Sequence, residues 1–307
     1  MCREDQMPFK HVALLGLGLI ASSIALTLKE KSPKTKITGF SRSEKTRKKA
    51  EEIGFCEVHD TVQNCILEAD LVILCVPVGA MKDTMKIAAP HLTRGAVVSD
   101  VGSVKASVIK AINSIIPTGV SFVPAHPIAG TEDSGPAAGF STLFNDRWCI
   151  LTPTAETPIE SRDKIRKFWK SLGAKVTEMD ANHHDLVLSV TSHAPHLIAF
   201  TMVGVADEFS KVTKSEVINY SAAGFRDFTR LAASDPVMWR DIFINNKDAA
   251  LEILGRFTEE LFALQSAIRR KDSKFLQEYF ERTREVRRNI IEAGQDTAKV
   301  NFGREGR

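Results

Sequence analysis

The chain has almost no surplus of either charge. Its 41 Lys and Arg stand against 38 Asp and Glu, a formal net charge of +3 over 307 residues. Without a single-sign field, no nucleic-acid partner and no membrane partner is expected. Cysteine is scarce: Cys2, Cys56, Cys65, Cys75 and Cys149 are odd in number and show no CxxC spacing. That argues against a disulfide framework or a zinc site and for a reducing compartment. No apolar run reaches the roughly 18 residues of a membrane span. The first ten residues are charged and lack a signal-peptide core, so a cytoplasmic protein is expected. There is no internal repeat and no low-complexity linker. The one locally basic run, "RSEKTRKKAEE", mixes signs at helical spacing and reads as a solvated helix face.

What is present is an ordinary globular composition, 43% hydrophobic and 26% charged, long enough for two domains with a core each. The first half alternates short apolar runs with helical ones. "HVALLGLGLI" leads into a small-residue helix, "KITGFS" into a charged one, "ADLVILCVP" into "VGAMKDTMKIAAPHL", and "GAVVSDVG" into "SVKASVIKAINSII"; "VSFVPAH" and "RWCILTP" follow. Uninterrupted apolar strands separated by helices predict an α/β fold with a Rossmann-type, mostly parallel sheet covered on both faces. After about Ala181 the strand signals stop. Leu251, Leu254, Phe257, Leu261, Leu264 and Ile268 lie three and four apart on one helix face, and Leu276, Phe280, Thr283, Val286 and Ile290 on another. "SDPVMW" reads as a helix start, with Ser234 or Asp235 as cap and Pro236 in the first turn. The expected division is a flexible N-terminus (1–10), a dinucleotide-binding Rossmann domain (11–180) and an all-α C-terminal domain (181–307) for substrate binding and dimerisation. The tail "NFGREGR" is expected to fray, and a homodimer is expected through the apolar helices.

"GLGLIA" sets Gly16, Gly18 and Ala21 as a G-x-G-x-x-A fingerprint directly after the strand "HVALL", with Leu19 and Ile20 opening a helix. The first glycine permits the tight turn, the second lets a pyrophosphate approach, and Ala21 lets the helix pack on the strand. A helix N-terminus then faces the phosphates with free N–H groups. An acid at the end of the second strand would select NAD. Here Ser41 and Arg42 stand there instead, a hydroxyl and a guanidinium better suited to a 2′-phosphate, so the reading leans to NADP over NAD.

Ligands in open α/β sheets sit beyond the carboxyl ends of the strands. Val76 and Pro77 close one strand, "DVGSVK" with Ser103 closes the next, and His126 follows "VSFVPA". On these residues alone His126 is open to three roles: structural residue, metal ligand or proton acceptor. The helical half carries "TSHAPH", with His193 and His196 on one face if helical, and "SAAGFRDFTR", with Gly224 as a turn before Arg226, Asp227 and Arg230. Two histidines three apart without HExxH or a third ligand do not make a metal site, and none is expected.

"GLGLIA", "VGSVK", "HPIAGTE", "TSHAPH", "GFRDFTR" and "DPVMWRDI" occur in the order and approximate spacing of the prephenate dehydrogenase family, the prephenate and arogenate enzymes of tyrosine biosynthesis, and the chain resembles that family from about residue 11 to about 290. The resemblance implies an NAD- or NADP-linked oxidative decarboxylation: hydride leaves the ring carbon bearing the 4-hydroxyl, the ring carboxylate departs as CO2, and the ring becomes aromatic. It implies that His126 accepts the hydroxyl proton and that Ser103 orients its imidazole. Arg230 would bind a substrate carboxylate. His196, Ser192 and Trp239 would line the pocket, with Thr131 and Glu132 at its mouth. His193 carries over less directly.

The chain departs from the family pattern in two places. Ser41 and Arg42 replace the acid of NAD-preferring members, and Ala222 and Ala223 stand where glycines are expected. Neither a chorismate mutase segment nor an ACT domain is expected in the chain. Two other readings stay open at this point: another two-domain reductase of the β-hydroxyacid dehydrogenase or imine reductase type, and a cofactor-sensing protein without turnover. The prephenate or arogenate side chain is not announced by any residue type.

Overall fold

The structure, a computed structural model, describes residues 7–131, 133–212 (side chains to 209) and 220–292. The N-terminal six residues, Glu132 and the tail lie outside that description. By the density of contacts the chain divides into two compact units, Met1–Ala250 and Leu251–Arg307.

In the first unit, β1 (His11–Leu15), β2 (Lys36–Phe40), β3 (Glu57–His59), β4 (Leu71–Leu74), β5 (Val97–Asp100) and β6 (Ser121–Val123) form a six-stranded sheet in the order β3-β2-β1-β4-β5-β6. Every pairing is parallel. The apolar strands are continuous because both faces are covered. Val12 and Leu14 face one core, which includes Ile24, Leu28 and Trp169, while Ala13 and Leu15 face the other, with Met81, Met85 and Ile112. That alternation is the two-residue period of a strand. The crossovers are α1 (Leu19–Lys31), α2 (Glu44–Ile53), α3 (Val62–Ile66), α4 (Val78–Ala88) and α5 (Ala106–Asn113).

The expected run "VSFVPAH" is two strands. Pro124 has no N–H to extend the parallel ladder, and the chain leaves the sheet there to form β7 (Ala125–Pro127). β7 pairs antiparallel with β8 (Trp148–Leu151), placing His126 opposite Ile150, and β8 pairs parallel with β9 (Lys175–Glu178) after α6 (Ile159–Ser171). His126 therefore sits within a strand of a second sheet, not at a free end of the first. Strands β3 and β9, each only three or four residues and rich in charge, carry no sequence signal that separates them from loops.

Beyond β9 come α7 (Ala181–Leu188), a π-helical turn (Ser189–His193) and α8 (Ala194–Val212). This continuous helical run corrects one expectation. Residues 181–209 reach a mean hydropathy of 1.4 over 18 residues, long and apolar enough by composition to cross a membrane. His184, Asp185, Ser189, His193 and His196 of this run are bonded into the site described below. α9 (Ala223–Thr229) contains Gly224 in its first turn, so this glycine lies in a helix and not in the expected turn. α10 (Pro236–Asn245) starts as read from the sequence: Asp235 is the cap, its carboxylate accepting the Met238 N–H at 2.7 Å.

α11 (Lys247–Arg270) leads into the second unit, which holds most of it and α12 (Ser273–Glu292). The predicted apolar faces are present; Leu254, Phe257, Leu264 and Leu276 are half-buried among the described residues. Leu251, Leu261, Ile268, Phe280, Val286 and Ile290 are all exposed.

Candidate active site

The carboxyl ends of β1, β4 and β5 lie side by side. At the first, Gly16 takes φ +105° and its N–H donates to the Phe40 carbonyl at 2.8 Å. A Cβ there would stand 2.6 Å from the Cys75 backbone and 2.8 Å from Val76 N, so only glycine fits where β1 and β4 converge. Gly18 is the reverse case: nothing lies within 4 Å of where its Cβ would be. It precedes α1, whose first turn has no side-chain cap and no acid. Unsatisfied N–H groups, the positive end of a helix and open space over a glycine suit an anionic pyrophosphate. Ala21 is fully buried, as helix packing on the strand requires. At the end of β2, the Arg47 guanidinium donates to the carbonyls of Ser41 (2.7 Å) and Arg42 (3.2 Å), holding that loop while the Arg42 side chain remains exposed. These residues fit a dinucleotide cofactor.

Beside this crevice lies a chain of buried polar groups. His126 Nδ1 is 2.8 Å from His184 Nε2, and His184 Nδ1 donates to Asp185 Oδ1 at 2.8 Å. Asp185 accepts the backbone N–H of Lys105 at 2.7 Å on Oδ1 and that of Ala106 at 2.9 Å on Oδ2, so it caps the N-terminus of α5 from across the fold. Lys105, fully buried, donates to Asp100 and to the Ala125 carbonyl, the latter at 2.8 Å. Asp100 accepts Gly102 N–H at 2.8 Å and Ala125 N–H at 3.2 Å, which pins β7 to β5.

Burial holds the His126 imidazole well below its ordinary pKa of 6.5, with His184, Lys105 and His193 pushing the same way. Burial also lowers His184, although its bond to Asp185 opposes this, and takes His193 down to about 4. Near neutral pH these rings are uncharged, and an uncharged imidazole has a lone pair to accept a proton.

A second cluster joins this one. The Asn246 amide nitrogen, just after α10, lies 2.9 Å from both the Asp185 carbonyl and Ser189 Oγ and 3.1 Å from His193 Nδ1, its two N–H groups shared among the three. His193 Nε2 faces the Ser103 backbone at a geometry short of a hydrogen bond. Trp239, 5% exposed, is edge-on to His193 and stacked on His196 at 3.8 Å. Its Nε1–H, like His193 Nε2, is buried without a hydrogen-bond partner among the described residues. His196 donates from Nδ1 to the Ser192 carbonyl at 2.8 Å, and burial lowers its pKa, with the Arg230 charge adding to the effect. The structure thus gathers His126, His193, His196, Trp239 and Arg230 around one region. Thr131 lies in the exposed loop after β7, its hydroxyl accepting Asp133 N–H at 3.3 Å, and Glu132 lies outside the described residues.

Ser103 makes no hydrogen bond to His126 in the structure; the partner of the ring's Nδ1 is His184 Nε2. Neither His184 nor Asp185 stands out in the sequence. "DANHHDL" reads only as a capped helix start, with Asp180 accepting the Asn182 and His183 N–H groups.

Comparison with known proteins agrees on both halves. Residues 24–178 match the model of the prephenate dehydrogenase nucleotide-binding domain, and residues 180–282 that of the prephenate dehydrogenase dimerization domain. The chain is 42% identical to cyclohexadienyl dehydrogenase of Zymomonas mobilis over 91% of its own length and 95% of that protein. It is 33% identical to prephenate dehydrogenase of Bacillus subtilis, covering 90% and 75%. Among solved structures, prephenate dehydrogenase from A. aeolicus in complex with hydroxyphenyl propionate and NAD+ superposes with a TM-score of 0.85 at 32% identity, over 92% of this chain and 98% of that one. Synechocystis arogenate dehydrogenase gives 0.74 at 26%, over 91% and 99%.

Proposed function

The chain belongs to the prephenate dehydrogenase family and is an NAD(P)-linked dehydrogenase of tyrosine biosynthesis, and on that premise we propose that His126 is the base that takes the 4-hydroxyl proton of a cyclohexadienol. A bound nicotinamide supplies the hydride acceptor. The protein's own tasks are then few, because aromatisation drives the carbon chemistry: accept one proton, neutralise the carboxylates, and exclude water. The observation that carries the assignment is the state of His126, a buried, uncharged ring whose Nδ1 is engaged and whose Nε2 makes no hydrogen bond among the described residues.

Arg230 binds a substrate carboxylate as a bidentate guanidinium, and His196, Ser192 and Trp239 line the same pocket, with Thr131 and Glu132 at its mouth. The buried, partnerless N–H of Trp239 is a donor awaiting an acceptor. Ser103 sits between the cofactor crevice and His193 and meets the substrate or cofactor there. Gly16, Gly18, Leu19, Ile20, Ala21, Val76 and Pro77 form the dinucleotide cradle. Ser41 and Arg42 favour NADP over NAD, because a guanidinium beside a hydroxyl suits a 2′-phosphate. On the same ground the working division is cofactor binding in 11–180 and substrate binding with dimerisation in 181–307, with two copies of the chain, in the cytoplasm, joined by the exposed apolar helices.

The test is turnover with prephenate and arogenate, each with NAD and NADP, in the wild type and in His126→Asn. The variant is expected to bind cofactor normally and to lose roughly 10²- to 10⁴-fold in kcat, the range a general base contributes. Near-normal turnover in the variant removes His126 from the mechanism.

A further inference from the structure

We propose that His184 and Asp185 are positioning residues that lock the tautomer of His126, so that its lone pair stands on Nε2. The proposal rests on the reading of His126 as the base. It follows from donor and acceptor bookkeeping along the chain of contacts.

Asp185 is the fixed point. Its two oxygens accept the Lys105 and Ala106 N–H groups of the α5 N-terminus at 2.7 and 2.9 Å, which presents positive charge to a carboxylate. An acceptor-only carboxylate accepts a hydrogen bond from His184, so the Nδ1 nitrogen 2.8 Å away carries hydrogen. A neutral His184 then has its lone pair on Nε2. The only partner 2.8 Å from that lone pair is His126 Nδ1, which must donate. His126 is left with one nitrogen free to accept, Nε2. When a proton arrives there the ring becomes a cation held by a neutral acceptor, with the Asp185 charge one ring further on.

The lock spans two parts of the sequence. Its anchor is the start of α5, which follows β5, and its arm is α7. The Asn246 amide holds the Asp185 carbonyl at 2.9 Å and so fixes the arm from α10. A buried Asp185 serving only as a helix cap would need no histidine on its third acceptor position. His184 is wholly buried, and both of its ring nitrogens are spent on this chain of contacts, one on His126 and one on Asp185.

Two variants separate the roles. His184→Gln keeps a side-chain oxygen able to accept from His126 Nδ1, whereas His184→Leu removes the acceptor at similar volume. The leucine variant is expected to lose on the order of 100-fold or more in kcat, within the range a misplaced general base costs, with KM for substrate and cofactor within about threefold. The glutamine variant is expected to recover most of that loss. Adding His184→Leu to His126→Asn is expected to cause no further loss, because the lock acts only through that ring. In the wild-type protein, nitrogen NMR of the labelled rings is expected to show His126 protonated at Nδ1, a readout that needs no variant to fold.

A leucine variant with unchanged kcat, a loss that appears in KM, equal impairment of the leucine and glutamine variants, or a wild-type His126 protonated at Nε2 overturns the lock. If instead His126→Asn itself retains turnover, it is the base assignment that fails.

Discussion

Arg230 and His196 show how little a single residue of this site does alone. Burial lowers the pKa of His196, and the Arg230 guanidinium nearby pushes the same way. Arg230→Ala is expected to raise KM for the substrate by about 10- to 100-fold, since a hydrogen bond to a charged group contributes roughly 1.5–3 kcal/mol. Cofactor affinity, measured by fluorescence titration, is expected to stay unchanged, and a defect mainly in cofactor binding would contradict the role. Arg230 was visible in the sequence as part of "GFRDFTR". His184 was not, because nothing in its neighbours says that its ring meets one 58 residues earlier.

At the scale of elements, the site depends on helices held at short range. Gly79, in the first turn of α4, has no room for a side chain: a Cβ there would stand 2.5 Å from Asp241 Oδ2 on α10. α10 also carries Trp239 and is followed by its C-cap, Asn246. Gly79→Ala is expected to destabilise the protein by about 1–3 kcal/mol, the cost of overpacking, read as a lower melting temperature. An unchanged melt would mean that the Asp241 carboxylate swings aside without cost. The periodicity of "VGAMKDTMKIAA" announces the helix, but the approach of α10 to its glycine is not written in either segment.

The molecule as a whole is sensitive to acid in a direction set by its buried histidines. His11, His126, His184 and His193 all have pKa values lowered by burial from the 6.5 of an unfolded chain, His193 to about 4. Between those two values the unfolded chain binds more protons than the fold, so stability rises with pH through that window and is lost as pH falls from about 6.5 toward 4. Urea midpoints at stepped pH are expected to fall over that range, and a flat profile would show that the histidines protonate without unfolding. The second scale-wide expectation concerns assembly. In the second unit, Leu261, Phe262, Phe280 and Val286 are exposed on long helices, and large apolar side chains that gather into one exposed patch mark an interface. Sedimentation is expected to give a dimer, and Phe280→Glu a species of half that mass; a wild-type monomer at micromolar concentration rejects the interface.

By itself the sequence determined what local chemistry can encode. Apolar runs of strand length, the glycine spacing of "GLGLIA", the Asp235 cap and the two apolar helix faces each depend on residues a few positions apart, and β1, β2, β4, β5, α1, α10, α11 and α12 follow from them. The family resemblance implied one pocket for His126, Arg230 and Trp239. Only the tertiary structure decided what His126 touches. Pro124 turns its strand out of the parallel sheet, α7 brings His184 to its Nδ1, and α5 supplies the two N–H groups that keep Asp185 an acceptor. Those three segments are separated by up to 80 residues. A proton's position on one imidazole ring is therefore a property of their packing, since no spacing within any one of them specifies it.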